Sequence, residues 1–262
     1  IIYNHSDIDF RENKFAHMSR FKLTIEYDGS GFVGWQRQEN GFGVQQALEE
    51  AVTAFSGETP RVFGAGRTDS GVHALGQVGH FDLQGDFSTD TVRDALNYHM
   101  RNVPAVVLEA ALVDDEFHSR FSATGRSYIY KIVNRRAPLS IDKGHCWWIP
   151  VPLDAEAMHE AAKVLIGKHD FTSFRATNCQ ADSPLRTLNT LRVERQDEMI
   201  LIHAQARSFL HHQVRNFTGS LKRVGTGKWT ATDLKAALEA RDRRVAGETA
   251  PADGLYLTAV SY

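Results

Sequence analysis

Cysteine is scarce in this chain: Cys146 and Cys179 are the only two in 262 residues. Two thiols cannot build a disulfide framework, which excludes the stapled secreted modules and fits a reducing compartment where cysteine packs as a small hydrophobe. Long apolar runs are missing too. No stretch approaches the ~20 residues that a membrane span requires, and the N-terminus lacks the basic-then-apolar order of a signal peptide. The expected location is therefore cytoplasmic, with no membrane partner. Among the 12 histidines there is no HExxH motif, and no CxxC pair exists. His211 and His212 are adjacent, so on a regular element their rings would point apart, and no metal site is expected. Nor is there a surplus of positive charge. Lys and Arg number 30 against 32 Asp and Glu, a net charge of −2, which by itself argues against a nucleic-acid partner.

The charge that is present is unevenly spread. From Phe117 to Ile141 the chain carries Arg120, Arg126, Lys131, Arg135 and Arg136, and neither Asp nor Glu. A solvated basic face is the ordinary reading; a stripe that contacts phosphates on a neutral body is the functional one. Hydrophobic periodicity organises the rest. Residues 1–17 carry no period and are set aside as an extension or a cloning-derived segment. Phe21, Leu23, Ile25 and Tyr27 then alternate with polar residues, which predicts a half-buried strand. Val44, Leu48, Val52 and Phe55 recur at helical spacing before Gly57. A glycine-rich loop at 64–71 leads to an apolar segment around Val78 to Leu83. Ser88 or Asp90 can cap a helix through Leu96, and Val106 to Leu112 reads as a strand. In the second half Tyr128, Tyr130 and Ile132 share one strand face, and Asp154 caps a helix that buries Met158, Ala162 and Leu165. Leu191/Val193 and Ile200/Ile202 flank the turn Gln196-Asp197-Glu198. Helices follow at Val214 to Val224 and around Leu234/Leu238, and a strand at Leu255 to Val260 closes the chain. Alternating strands and helices with an antiparallel hairpin imply a mixed sheet and the α+β class. The expected division is residues 18–115, with the glycine-rich loop, and 116–262, meeting at a cleft.

The segment richest in chemistry is Gly64-Ala65-Gly66-Arg67-Thr68-Asp69-Ser70-Gly71-Val72-His73-Ala74. Its glycines permit a tight turn that presents Arg67 and Asp69 together, while Thr68 and Ser70 can bond the backbone and stiffen it. An isolated loop aspartate is most often a turn or cap residue. The string Gly-Arg-Thr-Asp-x-Gly-Val-His-Ala, however, resembles the active-site loop of the tRNA pseudouridine synthase A family. The resemblance extends over almost all of residues 20–262. It runs through Tyr27-Asp28-Gly29 with Gly34-Trp35-Gln36, through Phe117 to Ala123 with Arg126 to Tyr130, and through Gly167 to Phe174. It continues through Ser208 to Arg215 and ends on Gly254-Leu255-Tyr256-Leu257.

That resemblance implies two ferredoxin-like halves forming a mixed, largely antiparallel sheet with a central active-site cleft. It also implies a homodimer, a tRNA substrate modified at uridines 38, 39 and 40 of the anticodon arm, and no cofactor. The implied reaction breaks the N1–C1′ bond, turns the uracil and joins C5 to C1′. One carboxylate, Asp69, suffices because no water is activated; whether it adds to C1′, adds to the ring or takes a proton stays open. Arg215 is implied as the cation that keeps Asp69 ionised against desolvation, with Gly219 one helical turn on letting another backbone approach. Tyr128 is implied to stack on or bond the target uracil, with Tyr130 left to the core, and Arg67 to hold the base flipped out. Two other readings compete. A tRNA-binding protein without activity is disfavoured by intact Asp69, Arg215 and Tyr128, and a glycosidase would need a second carboxylate beside the motif.

Overall fold

Strand β1 (Met18–Tyr27) buries Phe21, Leu23, Ile25 and Tyr27 and turns Lys22, Thr24 and Glu26 away, the period-two pattern of a sheet with one face in the core. The computed structural model describes residues 18–262; segment 1–17 lies outside the described residues. After β1 come α1 (Val44–Ser56), β2 (Phe63–Gly64), β3 (His73–Gln84), α2 (Thr89–His99) and β4 (Ala105–Val113). The later elements are β5 (Gly125–Asn134), β6 (Trp147–Ile149), α3 (Ala155–Ala162), β7 (Gly167–Asp170), β8 (Leu185–Gln196), β9 (Met199–Ala206), α4 (Gln213–Gly225), α5 (Ala231–Glu239) and β10 (Leu255–Ser261).

Local chemistry sets the helix ends. Ser88, not Asp90, is the N-cap of α2 and accepts from Thr91 N, a contact worth about 1 kcal/mol. Asp154 caps α3 through Ala157 N, and Thr230 with Asp233 forms a capping box on α5. The short strands β2, β6 and β7 escape sequence reading because two to four residues are too few to display a period.

The ten strands of the described residues join one mixed sheet, in the order β4-β1-β3-β10-β5-β9-β8-β7, with β2 added on β3 and β6 on β5. Most neighbours are antiparallel. The parallel exceptions are β6 on β5 and the pairing of β10 with β3, Tyr256 opposite His73 and Leu257 opposite Ala74. The last strand of the chain thus fills the seam between the early and late strands, bonded to β3 on one side and β5 on the other. Buried apolar side chains form two clusters. One centres on β1, β3, α1 and α2 and takes in Leu257; the other centres on β5, β8, β9 and α3 to α5 and takes in Val72. Tyr128 packs against both. The 64–71 loop enters β3 at this seam, so whatever it presents lies where the two clusters meet.

Candidate active site

The 64–71 loop is held from beneath by residues 27–35. Trp35 N donates to Thr68 O at 3.0 Å, and Ser70 Oγ donates to Phe32 O at 3.2 Å. Thr68 bonds a side chain rather than the backbone: its hydroxyl lies 2.7 Å from the buried Tyr27 hydroxyl. Gly34 sits at φ +115°, and a Cβ there would come within 2.7 Å of Thr68 O. Only glycine satisfies both conditions, which explains why the Gly-Trp-Gln string accompanies the loop.

So braced, the loop leaves the Asp69 side chain 26% exposed and facing the start of α4. Arg215, in the first turn of α4, donates Nη1 to Asp69 Oδ2 at 3.0 Å and Nε to Ala250 O at 2.7 Å. The segment carrying Ala250 runs hard against α4 because Gly219 has no side chain; a Cβ there would collide with the Glu248 carbonyl. The expected close backbone approach at Gly219 is thus what positions Arg215.

Contrary to expectation, His211 and His212 do not point apart. They occupy the turn before α4, with His212 at φ 62°, a left-handed conformation that costs a non-glycine residue about 1–2 kcal/mol. The two rings lie 3.9 Å apart and both face Asp69, with His211 Nε2 3.1 Å from Oδ1 and His212 Nε2 3.2 Å from Oδ2. The helical period begins only at Val214, so position 212 is a cap outside the regular element; that was the available signal. Burial alone would push the Asp69 carboxyl up, but the His212 hydrogen bond and the His212, His211 and Arg215 charges outweigh it and hold the carboxyl below its ordinary value.

Tyr128 stands half-buried in β5, edge-on to Phe209 at 5.2 Å. Burial above all, with the Asp69 charge adding to it, pushes its hydroxyl up to about 12, so it stays protonated at neutral pH. Tyr130 is fully buried and donates to Pro251 O at 2.8 Å, a core residue as expected. Arg67 is exposed on the loop.

The basic residues of 117–141 do not share one patch. Arg126 donates to the carbonyls of Arg207, Ala65 and Arg120 at 2.6, 2.7 and 2.9 Å, acting as an internal brace. Lys131 Nζ lies 3.8 Å over the Tyr256 ring. Arg135 pairs with Glu198 at 3.0 Å, Arg136 is exposed beside it, and the exposed Arg120 lies over Phe121. Arg126 lies at the start of β5 and Arg135 just past its end, about 30 Å apart at strand rise.

Two groups of one aspartate and two histidines, Asp28/His73/His145 and Asp69/His211/His212, bring their ligand atoms within 4.8 Å of one another. Neither is a good metal cage. Arg215 against Asp69 opposes a second cation, and both ring nitrogens of His73 already have hydrogen-bond partners, Gly29 N and Gly144 O, each at 3.0 Å.

The site is thus a carboxylate held below its ordinary pKa by two histidines and an arginine, at the seam of a mixed sheet and close enough to Tyr128 for its charge to be felt there. The family model described as tRNA pseudouridine synthase matches residues 23–122 and 161–262. The tRNA pseudouridine synthase A of Paramagnetospirillum magneticum is 59% identical over 245 residues, covering 94% of this chain and 96% of that protein. The enzymes so named from Mesorhizobium japonicum and Maricaulis maris are 58% and 57% identical, again over 94% of this chain and over 100% and 98% of their own lengths. The chain belongs to the tRNA pseudouridine synthase family.

Proposed function

We propose that this chain isomerises uridine to pseudouridine in the anticodon stem-loop of tRNA, at positions 38, 39 and 40, as a homodimer in the cytoplasm and without a cofactor. The observation that carries the reading is Asp69, partly exposed at the seam and kept ionised by Arg215, His211 and His212. The reaction is a rearrangement within one nucleoside. The N1–C1′ bond breaks, the freed uracil turns, C5 joins C1′, and the proton at C5 is lost while N1 gains one. No water enters, so a single carboxylate at the base–sugar junction is enough.

In this reading Asp69 is the catalytic carboxylate and Arg215 maintains its charge. Tyr128, at the floor of the same seam, stacks on the uracil or donates its hydroxyl to it. Arg67, exposed on the loop that carries Asp69, grips the flipped-out nucleotide or fills its place. The two halves, 18–115 and 116–262, each supply one side of the site. Base-resolved pseudouridine mapping of tRNA incubated with and without the enzyme tests reaction and position together. New pseudouridine confined to 38–40 is expected. Modification elsewhere would overturn the position, and free uracil without pseudouridine would overturn the reaction.

A further inference from the structure

Beside the 64–71 loop the surface carries a row of flat rings with a cation at each end. Phe63, in β2, is 39% exposed and stacks on His80 of β3 at 5.1 Å and 20°. The Arg61 guanidinium lies 5.1 Å from the Phe63 ring. His118 continues the row, 5.6 Å from Phe63 and 4.7 Å from His80, and Phe121 follows at 4.4 Å. The Arg120 guanidinium closes it, 5.5 Å from the Phe121 ring.

Phe121 is 70% exposed, yet the turn that carries it is firmly pinned. The fully buried Ser119 donates Oγ to Phe63 O at 2.8 Å and N to His80 Nδ1 at 3.2 Å. Tyr262 OH donates to Ser119 O at 2.8 Å, and His118 N donates to Ser122 Oγ at 3.0 Å. Arg126 bonds Arg120 O and Ala65 O with one nitrogen, which ties the turn to the catalytic loop itself. A rigidly held phenyl ring in water, on a turn tied to the 64–71 loop and with the Arg120 guanidinium against it, is a surface built to be covered.

We propose that this row is a stacking platform for an unpaired base of the tRNA substrate other than the target uridine, with Phe121 as the stacking face and Arg120 and Arg61 against the flanking phosphates. The proposal rests on the tRNA reading above. Aromatic rings offer a face that any base can stack on, and guanidinium groups at both ends complement the backbone charge on either side of that base.

The test measures binding of full-length tRNA transcripts by fluorescence anisotropy, together with single-turnover isomerisation at saturating tRNA. Phe121→Ala is expected to weaken tRNA binding about 5- to 150-fold, the range seen when one stacking aromatic is removed. Phe121→Trp keeps wild-type affinity, and the saturated turnover rate stays unchanged in both variants. Transcripts made abasic at one loop nucleotide at a time then locate the partner: at one position the abasic change and Phe121→Ala cost no more together than either does alone. Wild-type binding by Phe121→Ala, or coupling at no position, overturns the platform and leaves the isomerase reading intact. A platform that couples to one base in an enzyme making no pseudouridine sinks the isomerase reading instead. Light scattering covers the remaining occupant: if Phe121→Ala changes the oligomeric state and its affinity loss vanishes at higher protein concentration, the ring packs on a second copy and the proposal fails.

Discussion

Asp28 and Asp69 each face two histidines at nearly the same distances, 3.1 Å to both rings at Asp28 and 3.1 and 3.2 Å at Asp69. The surroundings differ. His73 is 2% exposed and sandwiched between Tyr256 at 4.6 Å and His145 at 5.1 Å. Burial holds its pKa below the ordinary value, so it stays neutral. Asp28 Oδ1 accepts from Ser30 N, and Tyr256 OH donates to His145 O. That cluster is a clasp. It fastens the end of β1, the start of β3 and the segment before β6, and its polar groups are largely spoken for by the protein. At Asp69 the donors come from one turn and one helix, and, although its side chain is less exposed than that of Asp28 (26% against 40%), a permanent guanidinium faces it. Residue types and exposure alone therefore do not distinguish these two aspartates; the unremovable countercharge of Arg215 does.

The sharpest way to break this comparison is Asp69→Asn. Pseudouridine formation should vanish, read as tritium release from C5-labelled uridine in tRNA, while tRNA affinity stays within several-fold because binding is spread over many phosphate contacts. Substantial turnover by the sequence-verified variant would remove Asp69 from the chemistry.

Arg215→Ala should come next in size. Activity falls, and its acid limb moves to higher pH, because removing a nearby positive charge disfavours the carboxylate and raises the Asp69 pKa from its lowered value. Arg215→Lys should recover part of the shift. A pH profile that keeps its shape while activity is lost would assign Arg215 some other role.

His73→Ala tests the other cluster by stability. Removing a buried ring strands Gly29 N and Gly144 O, so a loss of about 2–4 kcal/mol is expected in denaturant melts. Turnover per folded molecule should be largely kept. A variant that is fully stable and yet inactive would make the Asp28 cluster part of the chemistry rather than a clasp.

His145→Ala should be the mildest. The His145 ring is 42% exposed, and an exposed pair is worth about 0–1 kcal/mol. Asp28 has a lowered pKa, to which the His145 bond contributes. The sign is that of a depressed carboxylate: the stabilisation exists above the unfolded pKa and fades as pH falls through the folded one. The variant and wild type should therefore differ at neutral pH and converge in acid, which a thermal-melt series across that range would reveal.

Much of this molecule was legible one-dimensionally. The alternation of β1, the spacing of α1 and α4, the hairpin at Asp197-Glu198 and the string around Asp69 all report local geometry, and local geometry leaves a period or a turn signal in neighbouring residues. Short strands left none. The role of Gly34 was hidden for another reason: the string Gly-Trp-Gln shows that something is required there, but not that the requirement is the Thr68 carbonyl. The convergence of the histidine pair leaves no periodic signal, because adjacent side chains diverge only within a regular element and His212 lies just outside one.

The class of fold and the helix ends were determined by the sequence itself, since each depends on residues close together along the chain, and the string around Asp69 singles that carboxylate out. Which groups hold that carboxylate was decided only by the tertiary structure. Arg215 meets Asp69 across 146 positions of chain, and the meeting requires β10 to lie at the seam between β3 and β5 and the 246–250 segment to press on Gly219. Those are packing events between distant segments, driven by burial of two apolar clusters. Burial is non-directional and writes no local signature that a run of neighbouring residues could carry.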